Sequence, residues 1–374
     1  EVITPIDWIL LSGLALSLLI LLYYYFGVFG KLAFYKPQPS AKTTHEPVSI
    51  IIAARNEYEN LQKYLIPILE QDYPHFEVVV INDCSFDSSQ AYLEELQKSY
   101  PHLKVCQLIE QEKYPTGKKF ALTIGIKAAK YDQLLLTDAD CEPTSNQWLK
   151  IMQSRFTAGK EIVLGYSPYQ KRKGFLNLFI RFETLITAQF YFSMALMKNA
   201  FMGVGRNLAY RKEVFFRHKG FASHQHIFCG DDDLFVNEAA TPLNVSIEID
   251  PATFVYTEPK TTFSSYSVQK IRHMHTGKYY KKSHQRFLGM YYSGMILFYA
   301  TVAASLIVNI FTWPIVVGIF AIKIICQTII FYLCGKKLKC QNIAFGLLFL
   351  DFIYVFFLLI YGTRGFFTRN LKRW

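Results

Sequence analysis

The sequence predicts an α/β fold, a parallel sheet interleaved with helices and framed at both ends by segments apolar enough to enter a membrane. Three observations carry that reading. Short, mostly apolar runs at residues 48–53, 76–81 and 134–137, broken only by Ser49 and Glu77 and closed by Thr137, are what strands covered on both faces require, since a one-sided strand would alternate. Helical stretches separate such runs at intervals of about 25 to 30 residues, the rhythm of repeated strand–helix units. Hydrophobic residues make up 51% of the 374 and concentrate toward the two ends, while residues 40–170 have an ordinary globular composition.

The expected organisation follows from that distribution. Residues 1–36 form a transmembrane helix with its juxtamembrane stretch, 37–285 a cytoplasmic α/β domain, and 286–374 a membrane domain with two or three crossings. Forty Lys and Arg against 29 Asp and Glu give a net charge of +11, which suits a cytoplasmic membrane face and anionic substrates such as nucleotide diphosphates. No recognition helix, zinc-finger spacing or RNA-binding aromatic motif is present, so nucleic acid is not an expected partner. Seven cysteines, odd in number and without a C-x-x-C pair, imply a reduced compartment.

Residues 6–29 carry no charge except Asp7, enough to cross a hydrocarbon core of ~30 Å. Tyr23, Tyr24, Tyr25 and Phe26 form an aromatic belt and Lys31 and Lys36 follow, so the next part of the chain is expected inside. The run is too long for a signal peptide and lacks a small-residue cleavage site. After a proline-containing linker the first strand runs through Ala53 into Arg55, Asn56 and Glu57. The second ends in Asn82 and Asp83, a third covers 103–108, and an amphipathic helix over 117–130 opens with Lys118 and Lys119.

The central strand, 134–137, runs into Asp138, Ala139 and Asp140. In extended chain residues i and i+2 project to the same side, so both carboxylates face one point, which suits a hard cation, Mg²⁺ or Mn²⁺. Ligands of doubly wound sheets bind just beyond such strand ends; the plain alternative is a polar turn before a helix starting near Ser145. Asp83 can accept hydrogen bonds from a base or ribose, or cap the helix that follows. Cations at a helix start make sense beside an anion, although one of Lys118 and Lys119 can equally be a solvated surface lysine.

Residues 161–166 read as a further strand. Residues 175–198, aromatic-rich and charged only at Arg181 and Glu183 before Lys198, read as a helix lying in the membrane interface or as a core helix. Gly203 and Gly205 permit close approach to a bound group, beside Arg206 and Asn207. Asp231, Asp232 and Asp233 crowd ahead of an apolar helix; their repulsion raises one carboxyl pKa, which suits a general base, and a solvated acidic helix start is the alternative. Arg272, in a basic and aromatic stretch, can reach a diphosphate or lipid headgroups. His224 with His226, and His273 with His275, alternate as a metal pair would, or as polar-loop histidines do.

Three apolar segments close the chain, at about 288–311, 315–333 and 343–362. Lys323 and Asp351 fall near the middles of the last two and are expected to face each other, because an unpaired charge in hydrocarbon is costly. Lys336, Lys337 and Lys339 place the intervening loop inside. A full crossing by the last segment would then put Arg364, Arg369, Lys372 and Arg373 outside, against the charge tendency. Either that segment is re-entrant or interfacial, or the tendency fails.

Taken together, VSIIIAARNE, VINDCSFDSS, GKKFAL, LLTDAD, GVGRNLAYRK, GDDD and QKIRH resemble, in order and spacing, membrane-embedded family 2 glycosyltransferases. That group includes cellulose, hyaluronan and poly-N-acetylglucosamine synthases and ceramide glucosyltransferase. The resemblance covers about residues 45–285 and implies a GT-A, Rossmann-like catalytic domain. It implies that Asp83 binds the nucleotide base and that Asp138 and Asp140 bind the diphosphate and its metal. Ala53, Arg55, Glu57, Lys118, Ala139, Gln269 and Arg272 would complete the nucleotide-sugar site. Gly203, Gly205, Arg206, Asn207 and His273 would face the acceptor, and Asp232 would be the base, with Asp231 as its rival. Gln269 and Arg272 match the family's Q-x-x-R-W, but His273 stands where that motif has Trp.

The expected function is an inverting, Mg²⁺- or Mn²⁺-dependent transfer from a nucleotide sugar, read as UDP-linked, to a lipid or lipid-linked acceptor. The setting is an integral membrane protein, read as one of the bacterial inner membrane, with its catalytic domain cytoplasmic. A processive polysaccharide synthase is the alternative, which the missing Trp disfavours. A catalytically silent subunit that binds a nucleotide sugar is the second. Partners are therefore the donor, a lipid or glycan acceptor and membrane lipid, with partner subunits left open.

Overall fold

Buried apolar runs become neighbouring strands where their hydrogen-bonding edges can pair and both faces can be covered. The computed structural model describes residues 4–37, 45–110, 117–308 and 313–368. Helix α1 (Pro5–Ala33) precedes β1 (Val48–Ala54), α2 (Tyr58–Leu69), β2 (Phe76–Asp83), α3 (Ser89–Ser99), β3 (Leu103–Leu108), α4 (Lys118–Ala128) and β4 (Gln133–Asp138). Strict alternation stops there. There follow β5 (Cys141–Pro143), α5 (Trp148–Gln153), β6 (Ile162–Leu164), α6 (Phe175–Leu196), β7 (Leu208–Arg211), α7 (Lys212–Arg217), α8 (Asp233–Ala239), β8 (Val245–Ile247) and β9 (Val255–Thr257). Helix α9 (Phe263–Thr276) leads to α10 (Lys282–Val308), α11 (Trp313–Lys337) and α12 (Gln341–Gly365). Two compact units result, one globular (Lys36–Ile180 and Met194–Thr261) and one helical (α1, Arg181–Ser193 and Thr262–Thr368).

In the globular unit the main sheet, among the described residues, runs β3-β2-β1-β4-β7-β6-β8. β1 pairs in parallel with β2 and β4, whereas β7 is antiparallel to both β4 and β6. The sheet is thus mixed rather than purely parallel, and β6 is only the centre of the strand expected over 161–166. Register matters more for function. Ala53 lies opposite Asp138 and Ala54 opposite Asn82, so the carboxyl ends of β1, β2 and β4 finish at one rim. That rim is where chain order reverses, with β2 and β3 on one side of β1 and β4 on the other, the place where open α/β sheets bind ligands. Gly125 lets α4 sit close on the sheet, since a Cβ there would lie 2.3 Å from Ile81 Cδ1.

The helical unit contains helices long and apolar enough to cross a membrane: α1, α10, α11 and α12. α1 and α10 run antiparallel, with the Tyr24 hydroxyl donating to the Phe287 carbonyl and Ile20 pressed on Gly294. Tyr24, Phe29, Phe190 and Tyr291 pack edge to face at ring separations of 4.9 to 6.3 Å. The middle of α6, Arg181–Ser193, belongs to this unit and has no exposed residue. Its Phe182 meets Phe331 and Tyr354, so this stretch presents no free apolar face. All seven cysteines are free thiols.

Lys323 and Asp351 form the expected ion pair, both fully buried. Gln327 accepts from Lys323 at 2.8 Å and donates to Asp351 at 2.7 Å, and the Tyr299 hydroxyl donates to Asp351 at 2.7 Å. With its hydrogen-bonding capacity so engaged, the pair is tolerable in an apolar medium. Asp351→Ala, which strands an ammonium, should cost about 3–5 kcal/mol by thermal unfolding in detergent, while Lys323→Met with Asp351→Leu should cost far less. Equal losses in the two variants would refute the account.

Candidate active site

The acidic rim begins with two loops tied to each other. After β1 and β2 the chain turns through Asn56 and Cys84, both in the left-handed region, at φ 55° and 53°. The Asn56 N–H donates to Ser85 Oγ, the Phe86 N–H to Asn56 Oδ1, and the Tyr58 N–H to Asp87 Oδ2. Asp87 also accepts from the Ser89 N–H, so it serves both α2 and α3. The capping role open to Asp83 is thereby filled by another residue. Asp83 is buried, takes a hydrogen bond from the Gly117 N–H, and keeps its Oδ1 without a partner among the described residues. Burial raises its pKa, against the lowering effect of Arg55. A buried carboxylate oxygen left open at a strand end is a ready acceptor for a ligand N–H or O–H.

The second group gathers at the end of β4. Asp138, Asp140 and Cys141 each place one ligand atom so that all lie within 4.8 Å of one another. Two carboxylates supply the hard oxygens that Mg²⁺ or Mn²⁺ prefers, whereas burial pushes the Cys141 thiol well up, so it stays protonated and a poor ligand. The pair of aspartates therefore fits such a cation. Glu57 lies within their field; burial first, then Asp140 and Asp138, raise its pKa against a hydrogen bond from Asn60. None of the four H-x-H histidines joins a metal-binding group among the described residues.

Lys118 links this group to the third. Its ammonium lies 2.8 Å from Asp138 and 3.2 Å from Asp231. Burial works against its charge, but Asp138, Asp231 and Asp232 outweigh that and hold its pKa well above the usual value. Lys119 faces elsewhere: buried, it contacts His224 Nδ1 at 2.8 Å and donates to the carbonyls of His224 and Ile227. It thus pins the loop that delivers the three aspartates, and burial followed by the Lys119 charge lowers the His224 pKa to about 4.

Asp232 caps α8. Its Oδ1 accepts from the Asp233 N–H and its Oδ2 from the Gly205 N–H, both at 2.7 Å. Burial, then Asp231 and Asp233, push its pKa up to about 7, against the pull of Lys118 and the Gly205 N–H. Gly205 permits that approach, for a Cβ there would sit 3.3 Å from the carboxylate. Among the remaining residues expected here, Arg206 stacks on Tyr169 at 4.6 Å and donates to the Ser167 carbonyl. Gly203 packs against Leu208, Leu164 and Val236. Asn207 is fully buried, donates to the Tyr166 and Thr253 carbonyls, and accepts from the Trp148 indole at 3.0 Å. Gly203 and Asn207 thus hold the scaffold. Ala53 and Ala139 lie along the rim, while Gln269, Arg272 and His273 lie on α9 in the helical unit.

Residues that the sequence reading passed over include Cys141, Lys119 as a pin, and Tyr210, whose buried hydroxyl lies in the field of Asp231 and Asp232. Only Cys141 carried a signal, its place beside Asp140.

The sequence profile of the family described as "Glycosyl transferase family 2" matches residues 49–217. A poly-beta-1,6-N-acetyl-D-glucosamine synthase of Staphylococcus epidermidis is 34% identical over 95 residues, 25% of this chain and 22% of that protein. Glycosyltransferase AglE of Haloferax volcanii is 35% identical over 105 residues, 28% of this chain and 33% of its own. The matched stretch thus spans a third or less of these relatives' length. Among solved structures, the mannosyltransferase PcManGT of Pyrobaculum calidifontis, in complex with GDP-Man and Mn²⁺, is 18% identical with a TM-score of 0.58, covering 93% of this chain and 98% of that one. The shared fold and the matched profile agree on one conclusion: residues 49–217 belong to glycosyl transferase family 2, and the chain carries a GT-A glycosyltransferase domain joined to helices able to cross a membrane.

Proposed function

We propose that this protein transfers a sugar, with inversion, from a nucleotide-diphosphate sugar, read as UDP-linked, to a lipid or lipid-linked acceptor at the cytoplasmic face of a membrane. The observation that carries the reading is the gathering in one unit of an open carboxylate at Asp83, the Asp138–Asp140 pair, Lys118, and a high-pKa carboxylate at Asp232. Asp83 would hold the base. Asp138 and Asp140 would hold Mg²⁺ or Mn²⁺, which when bound supplies positive charge for the departing diphosphate. Lys118, beside Asp138, adds a fixed ammonium to that charge balance.

The two candidate bases differ in their partners. Asp231 is ion-paired with Lys118, whereas Asp232 is held by two backbone N–H groups that fix its carboxylate and leave lone pairs for an incoming proton. Asp232 would take the acceptor hydroxyl's proton as that oxygen bonds to the anomeric carbon from the face opposite the diphosphate. The bond from that carbon to the diphosphate oxygen breaks, and the leaving group departs with the electron pair. No enzyme–sugar bond is needed.

The polysaccharide-synthase reading is supported by the 34% identity to a poly-beta-1,6-N-acetyl-D-glucosamine synthase. Product length separates the two: with radiolabelled donor and membrane lipid, one or a few added sugars are expected, and a long ladder would favour the synthase. A panel of UDP- and GDP-linked sugars fixes the donor, and chelation should stop nucleotide release until Mn²⁺ or Mg²⁺ is restored.

Asp232→Asn should lower the rate by about 100-fold or more with little change in donor binding. Because only the deprotonated carboxylate accepts a proton, kcat/KM should rise with pH through a limb centred at or below 7, since any added cation draws the value down. A wild-type rate in Asp232→Asn would remove this residue from the mechanism.

A further inference from the structure

The described residues of the helical unit hold three carboxylates, at Asp7, Glu183 and Asp351. Two of them are neutralised inside: Glu183 pairs with Lys270 and Asp351 with Lys323, all four side chains buried. The third, Asp7, caps the start of α1, where it accepts from the Thr4 N–H and hydroxyl. The remaining cations of the unit must therefore find their counter-charge elsewhere.

Contacts set three of the helices on one scale of depth. α10 runs against α1, since a Cβ on Gly13 would lie 3.2 Å from Thr301 Cγ2 while the Tyr24 and Tyr291 rings meet at 5.1 Å. α11 runs with α1. Its Phe320 stacks on Phe298 at 6.2 Å, the Cys334 thiol lies 3.6 Å from the Phe29 carbonyl, and Lys337 donates to the Tyr35 carbonyl. The end of α1, the start of α10 and the end of α11 thus lie together, and Trp8 and Trp313 share the opposite end.

Exposed aromatic rings mark the two levels where this bundle would meet lipid headgroups. Trp8 and Trp313 stand at one, Tyr23, Phe26 and Tyr332 at the other. Trp8 and Tyr23 are separated by ~22 Å of helix at ~1.5 Å per residue, not far short of a hydrocarbon core of ~30 Å. Just past the second belt come Lys31, Lys282, Lys336 and Lys339, with Arg286 beside it, and all five are exposed. No described carboxylate of the unit lies at that end. At the Trp8 end, residues 4–13, 300–308 and 313–320 contain no Lys or Arg.

We infer that this cationic collar is a docking surface for acidic phospholipid, in which Lys31, Lys282, Arg286, Lys336 and Lys339 bind headgroup phosphates of the leaflet that the Tyr23, Phe26 and Tyr332 rings enter. The five cations come from α1, α10, α11 and the turn after α11, so one compact anion cannot satisfy them. A leaflet can, because it presents negative charge at a single depth on every side of the bundle. The aromatic rings beside them hold the cations at that depth.

The test compares the purified full chain in vesicles of phosphatidylcholine alone and of phosphatidylcholine mixed with phosphatidylglycerol, reading the unfolding midpoint by tryptophan fluorescence. The mixed vesicles should raise the midpoint by about 3–6 °C, and the gain should shrink in ~1 M salt. Replacing all five cations by Gln should remove at least about half of the gain, whereas Lys→Arg at the four lysines should keep it. Inorganic phosphate added to the phosphatidylcholine vesicles should give none. Equal midpoints for the unaltered chain in the two lipids would overturn the inference and leave these cations to an acidic protein partner. A gain reproduced by inorganic phosphate, or undiminished in the Gln variant, would overturn it as well. The readout is independent of sugar transfer.

Discussion

Parallel registration of three strands is the constraint on which the rest of the globular unit depends. With Ala53 opposite Asp138 and Ala54 opposite Asn82, the ends of β1, β2 and β4 finish together. A slip of one residue would turn each side chain to the other face. The result is a rim crowded with like charge: Glu57, Asp83, Asp138, Asp140 and the three consecutive aspartates ahead of α8. Such crowding is unfavourable unless opposed. In this structure Lys118 opposes part of it by touching Asp138 and Asp231 at once, and protonation at Asp232 would relieve more. A rim that is short of positive charge is a rim prepared to receive some.

The central strands were legible because burial on both faces writes an apolar run, as at Ile50–Ala54 in β1, Val78–Ile81 in β2 and Leu134–Leu136 in β4, whereas β3, half-exposed along its length, carries Lys104 and Gln107. The later strands were not. β6, β7 and β8 are three or four residues long, and β7 enters against the direction of β4, a choice made by pairing with distant chain rather than by any local pattern. The same difference divides the site. Asp138 and Asp140 could be placed from the strand that precedes them, since alternation fixes their common side. The scaffold role of Asn207 and the inward turn of Lys119 depend on partners tens of residues away, on the 166, 224 and 253 segments. Neighbouring identical residues such as Lys118 and Lys119 cannot be told apart by type when one faces a cluster and the other a loop.

The membrane-facing half reverses that balance. Helix length and composition announce themselves, but direction and depth do not. Two charges in otherwise apolar segments proved the most informative residues there, because hydrocarbon leaves them one arrangement, and Lys323 and Asp351 adopt it. The aromatic residues of α1, α6 and α10 then set spacing through edge-to-face contacts, beside the close approach of α1 and α10 at Gly13 and Gly294.

The same ion pair bears on how the protein is made. Its members are 28 positions apart, so at a synthesis rate of about 5–20 residues per second Lys323 exists for roughly one to six seconds before Asp351 does. During that interval α11 carries an uncompensated ammonium whose insertion alone costs about 2.5–3.5 kcal/mol. Biogenesis therefore favours holding α11 beside the insertion machinery until its counter-ion emerges, and releasing the two segments into lipid as one neutral package.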